Sequence, residues 1–317
     1  PPPPPLPPST PPPPPPPPNR CLDLVGPGAD FSSCLHLRNA DLRRANLRSA
    51  NLQGADLQGA VLDGADLTAA TLINADLRQA SLASAILFKA DLSFSDASSA
   101  KFYGADLREA AMTHTVAHFA DFSGADLRHV KMFSMHRAEN VTFDGADWSG
   151  SAMTDNRFVN ASFRGTNFNM VSMEDVHFTN SYFEGNNFEG LILVDSRMQH
   201  CSLRNAVLNG ASLRDLRAQH ADFTGAQLRN AFLQLAELEG IKASSADFSH
   251  ADLHWADVRN ADLRQARFVS SIITEATFRN SNCDAADFFR ATGSRLADFT
   301  NISGLPVNLE VELFVPP

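Results

Sequence analysis

Residues 40–59 read Ala40-Asp41-Leu42-Arg43-Arg44, Ala45-Asn46-Leu47-Arg48-Ser49, Ala50-Asn51-Leu52-Gln53-Gly54, Ala55-Asp56-Leu57-Gln58-Gly59. Each block of five holds a small residue, a short polar residue, a leucine and two polar or flexible positions. Upstream, Leu37 keeps the phase. Downstream, Leu62, Leu67, Leu72, Leu77, Leu82, Leu87 and Leu92 follow at fives, then Phe102, Leu107, Met112, Phe122, Leu127 and Met132. One extra residue enters between Met132 and Phe143, after which Trp148, Met153, Phe158, Phe163 and their successors carry the spacing on to Phe288. About fifty units share one period, which makes the repeat the first fact to explain.

A period of five matches neither a helix at 3.6 nor a flat strand at 2. If each unit forms one short extended side and one corner, four units close a square coil of twenty residues. The large residue and the small one two places before it then face inward, and the other three positions meet water. This accounts for their Asp, Asn, Arg, Gln, Ser and Gly. Gly54 and Gly165, for example, fall two places after a large residue, where a corner needs permissive backbone. Coils stacked about 4.8 Å apart, twelve to thirteen of them, make a rod on the order of 60 Å long. Proline agrees: of 19, none lies between Gly28 and Leu305, because stacked strands cannot spare the N–H that proline lacks.

Stacking also predicts which side chains meet, namely those twenty apart. One column joins Trp148, Phe168, Phe188, Leu208, Leu228, Phe248, Phe268 and Phe288. Another joins Leu57, Leu77, Ala97 and Ala117 and would carry Arg137 into the core. An unpaired guanidinium is too costly there. The extra residue enters at that point, so a bulge, loop or kink is expected within 133–141.

The Ala-(Asp/Asn)-Leu-X-X pattern resembles the pentapeptide-repeat family, over nearly all of residues 35–292. The resemblance implies an all-β, right-handed quadrilateral β-helix. Known members include gyrase-protecting DNA mimics, plastid and cyanobacterial lumenal proteins, bacterial effectors and fused interaction modules, so the family implies a fold and leaves function open.

The chain divides into a Pro-rich extended arm (1–20), a lead-in or cap (21–34), the solenoid (35–292) with its break near 133–141, and a C-terminal cap or tail (293–317). The arm suits polyproline II, as a stiff linker or a recognition segment. Ala29-Asp30-Phe31 resembles a stray repeat out of phase with Leu37 and reads as a cap. Ala297-Asp298-Phe299 comes one residue late. Residues 307–315 alternate apolar and polar as a strand does, and are expected to cover the last coil or pair with a partner.

Lys and Arg number 26 against 36 Asp and Glu, a formal net charge of −10. No direct nucleic-acid binding is expected, since that needs clustered bases. No apolar run reaches the roughly 18 residues that cross a bilayer, which leaves a soluble or membrane-peripheral chain. The first residue is Pro1 rather than Met, which reads as processing and leans toward a plastid or thylakoid lumen, with cytoplasmic or secreted as the alternative. Cys21 and Cys34 could bridge in an oxidising compartment. Cys201 and Cys283 fall on inward positions and read as small hydrophobes.

No catalytic, cofactor-binding or metal-ligating constellation emerges, and the chain does not read as an enzyme. His200 and His220, twenty apart, should stack on the outside, but zinc usually wants three or four ligands. The spacings of His114/His118 and His250/His254 would matter on a helix and separate the pairs here. The Asp and Asn before each large residue are repeat grammar, and many face an Arg two places on: Asp41/Arg43, Asp76/Arg78, Asp106/Arg108, Asp126/Arg128, Asp262/Arg264. Asn140, Asn160 and Asn301 open glycosylation-type triplets, which are common by chance. The expected function is a non-catalytic scaffold, a subunit or accessory factor of a larger protein assembly. The alternative is an acidic DNA mimic that binds a type II topoisomerase.

Overall fold

The computed structural model describes residues 25–31 and 37–309. The proline-rich arm, the Cys21–Cys34 pairing and residues 310–317 lie outside the described residues.

Each five-residue unit repeats one local plan. The polar residue before the large one bridges in parallel to the residue twenty on, as Asp41 to Val61, Asn46 to Asp66 and Asn51 to Thr71. The large residue donates its N–H to the carbonyl nineteen on, as Leu57 N to Asp76 O at 2.8 Å. Its own carbonyl accepts the N–H three places later, as Ala60 N to Leu57 O at 2.9 Å. Between them Gly59 has φ of +68°. That combination is a type II turn. A corner therefore recurs every five residues and four corners close a coil. Parallel bridges of this kind run from Asp30–Asn51 to Asp287–Val307, so the described chain is one β-solenoid, without a helix among the described residues. Ala29-Asp30-Phe31 joins it as a rung, with Phe31 fully buried.

Glycine is not the rule at the corners. Among the described residues, forty other than glycine take positive φ, including Phe94, Met170, Leu235 and Trp255. Left-handed backbone costs an ordinary residue roughly 1–2 kcal/mol. The coil tolerates it because most corners are held by their own turn bond and by the ladder above and below.

Inside, the large residues stack as the register predicts. Phe102, Phe122, Phe143, Phe163 and Phe183 form one pile, with successive ring centroids 4.5, 5.0, 5.1 and 4.9 Å apart. The column from Trp148 to Phe288 is buried throughout. At the break, Arg137 points outward and Ala138 takes the inward place beneath Phe158. Bridges across it span 21 residues (Asp121–Thr142, Asp126–Asp147) and then return to twenty. Beside the three alanines of this column, Ala97, Ala117 and Ala138, the neighbouring inward column grows from Ser95 through Thr115 to Met135, all buried. At the break the Met135 side chain supplies apolar volume next to Ala138.

Just past the break the sides lengthen into strands: β1 (Lys131–Phe133), β2 (Ala138–Glu139), β3 (Ala152–Thr154), β4 (Arg157–Val159), β5 (Ser172–Glu174), β6 (His177–Thr179), β7 (Ile192–Val194) and β8 (Arg197–Gln199). They form two parallel sheets on adjacent walls, ordered β1-β3-β5-β7 and β2-β4-β6-β8. Here all four inward large positions are bulky, as in Phe143, Trp148, Met153 and Phe158. Several corners give up their own turn bond, and a polar side chain at the small inward position of the next coil replaces it. Asn156 is the clearest: its Oδ1 accepts Met135 N–H at 2.8 Å and its Nδ2 donates to Met132 O at 2.9 Å. Ser281 does the same between Ala261 N and Val258 O.

Beyond Phe288 an irregular turn over 293–297 admits one more extra residue. Phe299 still stacks on Phe278 at 4.9 Å, and bridges continue to Val307. Residues 293–309 thus add a last, looser coil over the apolar end.

Asn156→Ala leaves a buried N–H and a buried C=O unpaired, and should cost about 2 kcal/mol or more in urea unfolding. Arg157→Ala, exposed on a strand of the same coil, should stay within about 0.5 kcal/mol. Equal effects of the two would contradict the assignment of Asn156 as a structural bridge.

Candidate interaction faces

The solenoid turns a linear period into four flat walls and four edges, each a ladder of residues twenty apart. Residues that could carry chemistry are dispersed by this geometry. His200 and His220 do stack, ring centroids 5.0 Å apart and 20° from parallel. His114 packs on Phe94 at 4.9 Å and His254 on Trp255 at 3.9 Å, and neither meets the histidine four residues away from it. Among the described residues no group of three or more His, Cys, Asp or Glu could hold a metal ion. Burial pushes the Cys201 and Cys283 thiols up to about 12, so both remain unreactive thiols. Asn140, Asn160 and Asn301 all sit at exposed corners with positive φ.

The carboxylates before the large residues serve the backbone. Oδ1 accepts the N–H two places on in Asp41, Asp56, Asp66, Asp76 and many others. All five Asp/Arg pairs expected from the sequence form, at 2.6 Å in Asp41–Arg43, Asp106–Arg108 and Asp126–Arg128 and 2.7 Å in Asp262–Arg264; Asp76–Arg78 is also closed. Some arginines reach a second carboxylate one coil on, as Arg108 to Asp126 at 3.6 Å. Hydrogen bonds from Arg43 hold the Asp41 carboxyl at about 2. Hydrogen bonds from Arg78, Arg108 and Arg264 likewise lower Asp76, Asp106 and Asp262. One edge departs from this pairing. Asp155, Asp175, Asp195 and Asp215 occupy successive corners beside Arg157, His177, Arg197 and Arg217, and Asp175, Asp195 and Asp215 line a polar groove of about 290 Å³ with Arg197 and Arg217.

The sequence profile of pentapeptide repeats matches in eight copies, among them 28–64, 65–102, 90–128, 137–169, 196–234, 221–260 and 246–282. The chain belongs to the pentapeptide-repeat family. No curated protein sequence matches it. Among solved structures it is similar to HetL of Nostoc sp. strain PCC 7120, a pentapeptide repeat protein involved in heterocyst differentiation regulation. That match has 23% identity, covers 81% of this chain and 92% of that one, and has a TM-score of 0.21. It is also similar to full-length QnrB1, a plasmid-mediated fluoroquinolone resistance protein, at 20% identity, with coverage of 63% and 86% and a TM-score of 0.30. A third similar structure is a pentapeptide repeat protein of the Arabidopsis thaliana thylakoid lumen, at 25% identity, with coverage of 37% and 77% and a TM-score of 0.17. No helix among the described residues is long and apolar enough to cross a membrane.

Against the background of this family's polar exterior, the informative residues are large apolar side chains that face solvent. Phe94, Phe133, Ile192, Phe232, Leu235, Trp255 and Ile272 are exposed and share one wall and its edge. Sequence periodicity does not single them out, because it marks inward positions. The available signal is an apolar residue at an outward place of the five.

The paired aspartates dictate acid behaviour. The folded pKa values of Asp41, Asp76, Asp106 and Asp262 lie below the unfolded value of about 3.9, so their stabilisation is complete above that pH and is lost as pH falls toward the folded values. Thermal melts should be level from neutrality to about pH 5 and decline below about pH 4. The Asp76→Asn, Asp106→Asn, Asp262→Asn triple variant should show a shallower decline. An identical acid limb in the two proteins would contradict the clamp.

Proposed function

We propose that this pentapeptide-repeat protein is a non-catalytic scaffold, a subunit or accessory factor of a larger assembly that engages protein partners through the walls of its rod. The observation that carries this reading is the set of solvent-facing Phe, Trp, Leu and Ile side chains that share one wall and its edge, Phe94, Phe133, Ile192, Phe232, Leu235, Trp255 and Ile272. Burying such surface against a partner is favourable by about 25 cal/mol per Å². The fold itself does not need these side chains outside, since the bore is already filled. A rod whose corners and rungs are all hydrogen-bonded also presents its walls with little ordering cost on binding.

The alternative, an acidic mimic of DNA bound by a type II topoisomerase, needs a continuous negative face. Arginines bridge the carboxylate ladders of several rungs instead, as Arg108 and Arg128 do between Asp106, Asp126 and Asp147.

Crosslinking and co-purification from the native source test the scaffold reading. A defined protein is expected at a fixed ratio to this chain. Recovery of the chain alone under gentle extraction would count against it. Inhibition or protection of gyrase in a supercoiling assay would instead favour the DNA-mimic reading.

A further inference from the structure

Within the exposed wall, one segment combines apolar and acidic groups in a way that selects a partner. Bridges Ser212–Phe232, Phe232–Asp252 and Asp252–Ile272 place these residues in one column. Leu235 and Trp255 stand on the adjoining edge of the same coils, joined to the rungs below through Leu235 N to His254 O and Trp255 N to Thr274 O. Phe232, Leu235, Trp255 and Ile272 are 51%, 45%, 50% and 42% exposed. Trp255 is propped rather than free: its Nε1 donates to Glu275 Oε2 at 2.7 Å and its ring lies 3.9 Å from that of His254. Trp255 is thereby held in place, with Phe232, Leu235 and Ile272 beside it on the same wall and edge.

Acidic residues surround these apolar side chains. Asp215, Asp252 and Glu275 occupy the outward places between and beside the apolar ones; Arg214 lies on the same wall, and Arg197 and Arg217 line the groove beside Asp215 and Leu235. Asp252 accepts hydrogen bonds from Gln234 and from the His254 backbone. These contacts leave its charge in place. Neither Asp252 nor Glu275 is paired with an arginine or lysine among the described residues: Gln234 donates to Asp252 and Trp255 to Glu275.

We infer that the Phe232–Leu235–Trp255–Ile272 patch docks a basic amphipathic helix of a partner protein. This rests on the scaffold reading above and names its partner class. Charge complementarity chooses the occupant: apolar contacts flanked by carboxylates favour Leu-type residues flanked by Lys or Arg. A second copy of this chain would oppose the same carboxylates to one another. The spacing fits as well. Phe232 and Ile272 are two rungs apart, about 10 Å, the rise of positions i and i+7 on a helix, with i+3 and i+4 between them at about 5 Å. An added β-strand is not accommodated, because the backbone bonds of each wall point along the rod to the neighbouring rungs and none is left facing outward.

The chain carries its own reporter. Of its two tryptophans, Trp148 is fully buried and Trp255 is half exposed. An 18-residue Leu/Lys amphipathic peptide titrated into the full chain should blue-shift Trp255 emission and shield it from acrylamide. Added salt should weaken binding. Phe232→Ser with Ile272→Ser should weaken it about tenfold or more, equivalent to about 1.4 kcal/mol, and Asp252→Asn with Glu275→Gln should also weaken it. Phe119→Ser, on another edge, should leave it unchanged. Equal binding of a Leu/Glu counterpart, or of the Leu/Lys peptide to the Phe232/Ile272 variant, would overturn the inference. Tighter binding of a peptide of residues 1–20 would also overturn it, as would patch-dependent self-association in sedimentation. If the native partner crosslinks equally well to the Phe232/Ile272 variant, the scaffold reading survives and the patch assignment falls. If no partner is captured through any wall, the scaffold reading falls itself.

Discussion

Every rung of this rod hangs on one constraint: the N–H of an inward large residue must meet the carbonyl nineteen residues on, while the residue before it bridges to the residue twenty on. Leu57, Leu107 and Phe163 satisfy this with the same geometry at widely separated points, at 2.8 Å in each case. The bond fixes the rise between coils, and the rise in turn sets aromatic rings of one column about 5 Å apart, a favourable stacking distance. Backbone pairing and core packing are therefore a single periodic condition. Neither can slip by one residue without turning the inward side chains outward.

Departures from the period show how the condition is kept. One extra residue past Met135 would have driven Arg137 into the bore; the chain instead places Ala138 inward and lets Met135 supply the missing volume. Bulky residues on all four sides between 143 and 198 open some corners, and inward Asn and Ser side chains close the resulting gaps in the hydrogen-bond network. Asn156 and Ser281 are substitutes for turn bonds, and their burial is stabilising because each pairs at both ends.

The same regularity disperses potential catalytic groups and gathers surface ones. Residues close in sequence are carried to different walls, so His250 and His254 do not converge, whereas His200 and His220, twenty apart, stack. Function in such a frame belongs to columns. Carboxylate columns bridged by arginine read as reinforcement; a column carrying exposed Phe232 and Ile272 with unneutralised acids at its side reads as recognition.

The sequence by itself determined the period, the inward residues, the place of the break and the stacking of His200 on His220, because a residue's place in the five decides its direction and a separation of twenty decides its neighbour. It also marked the Asp–Arg pairs, which depend only on local geometry. Tertiary structure alone decided three things. It chose which of the residues around the break turns inward, since that choice balances volume across adjacent columns. It put Asn156 into the turn of the preceding coil, which nothing local to Asn156 demands. And it decided how far Phe232, Leu235, Trp255 and Ile272 stand out from the wall and its edge: the register of twenty brings them together, but their exposure depends on the side chains around them, as in the bond from Trp255 to Glu275.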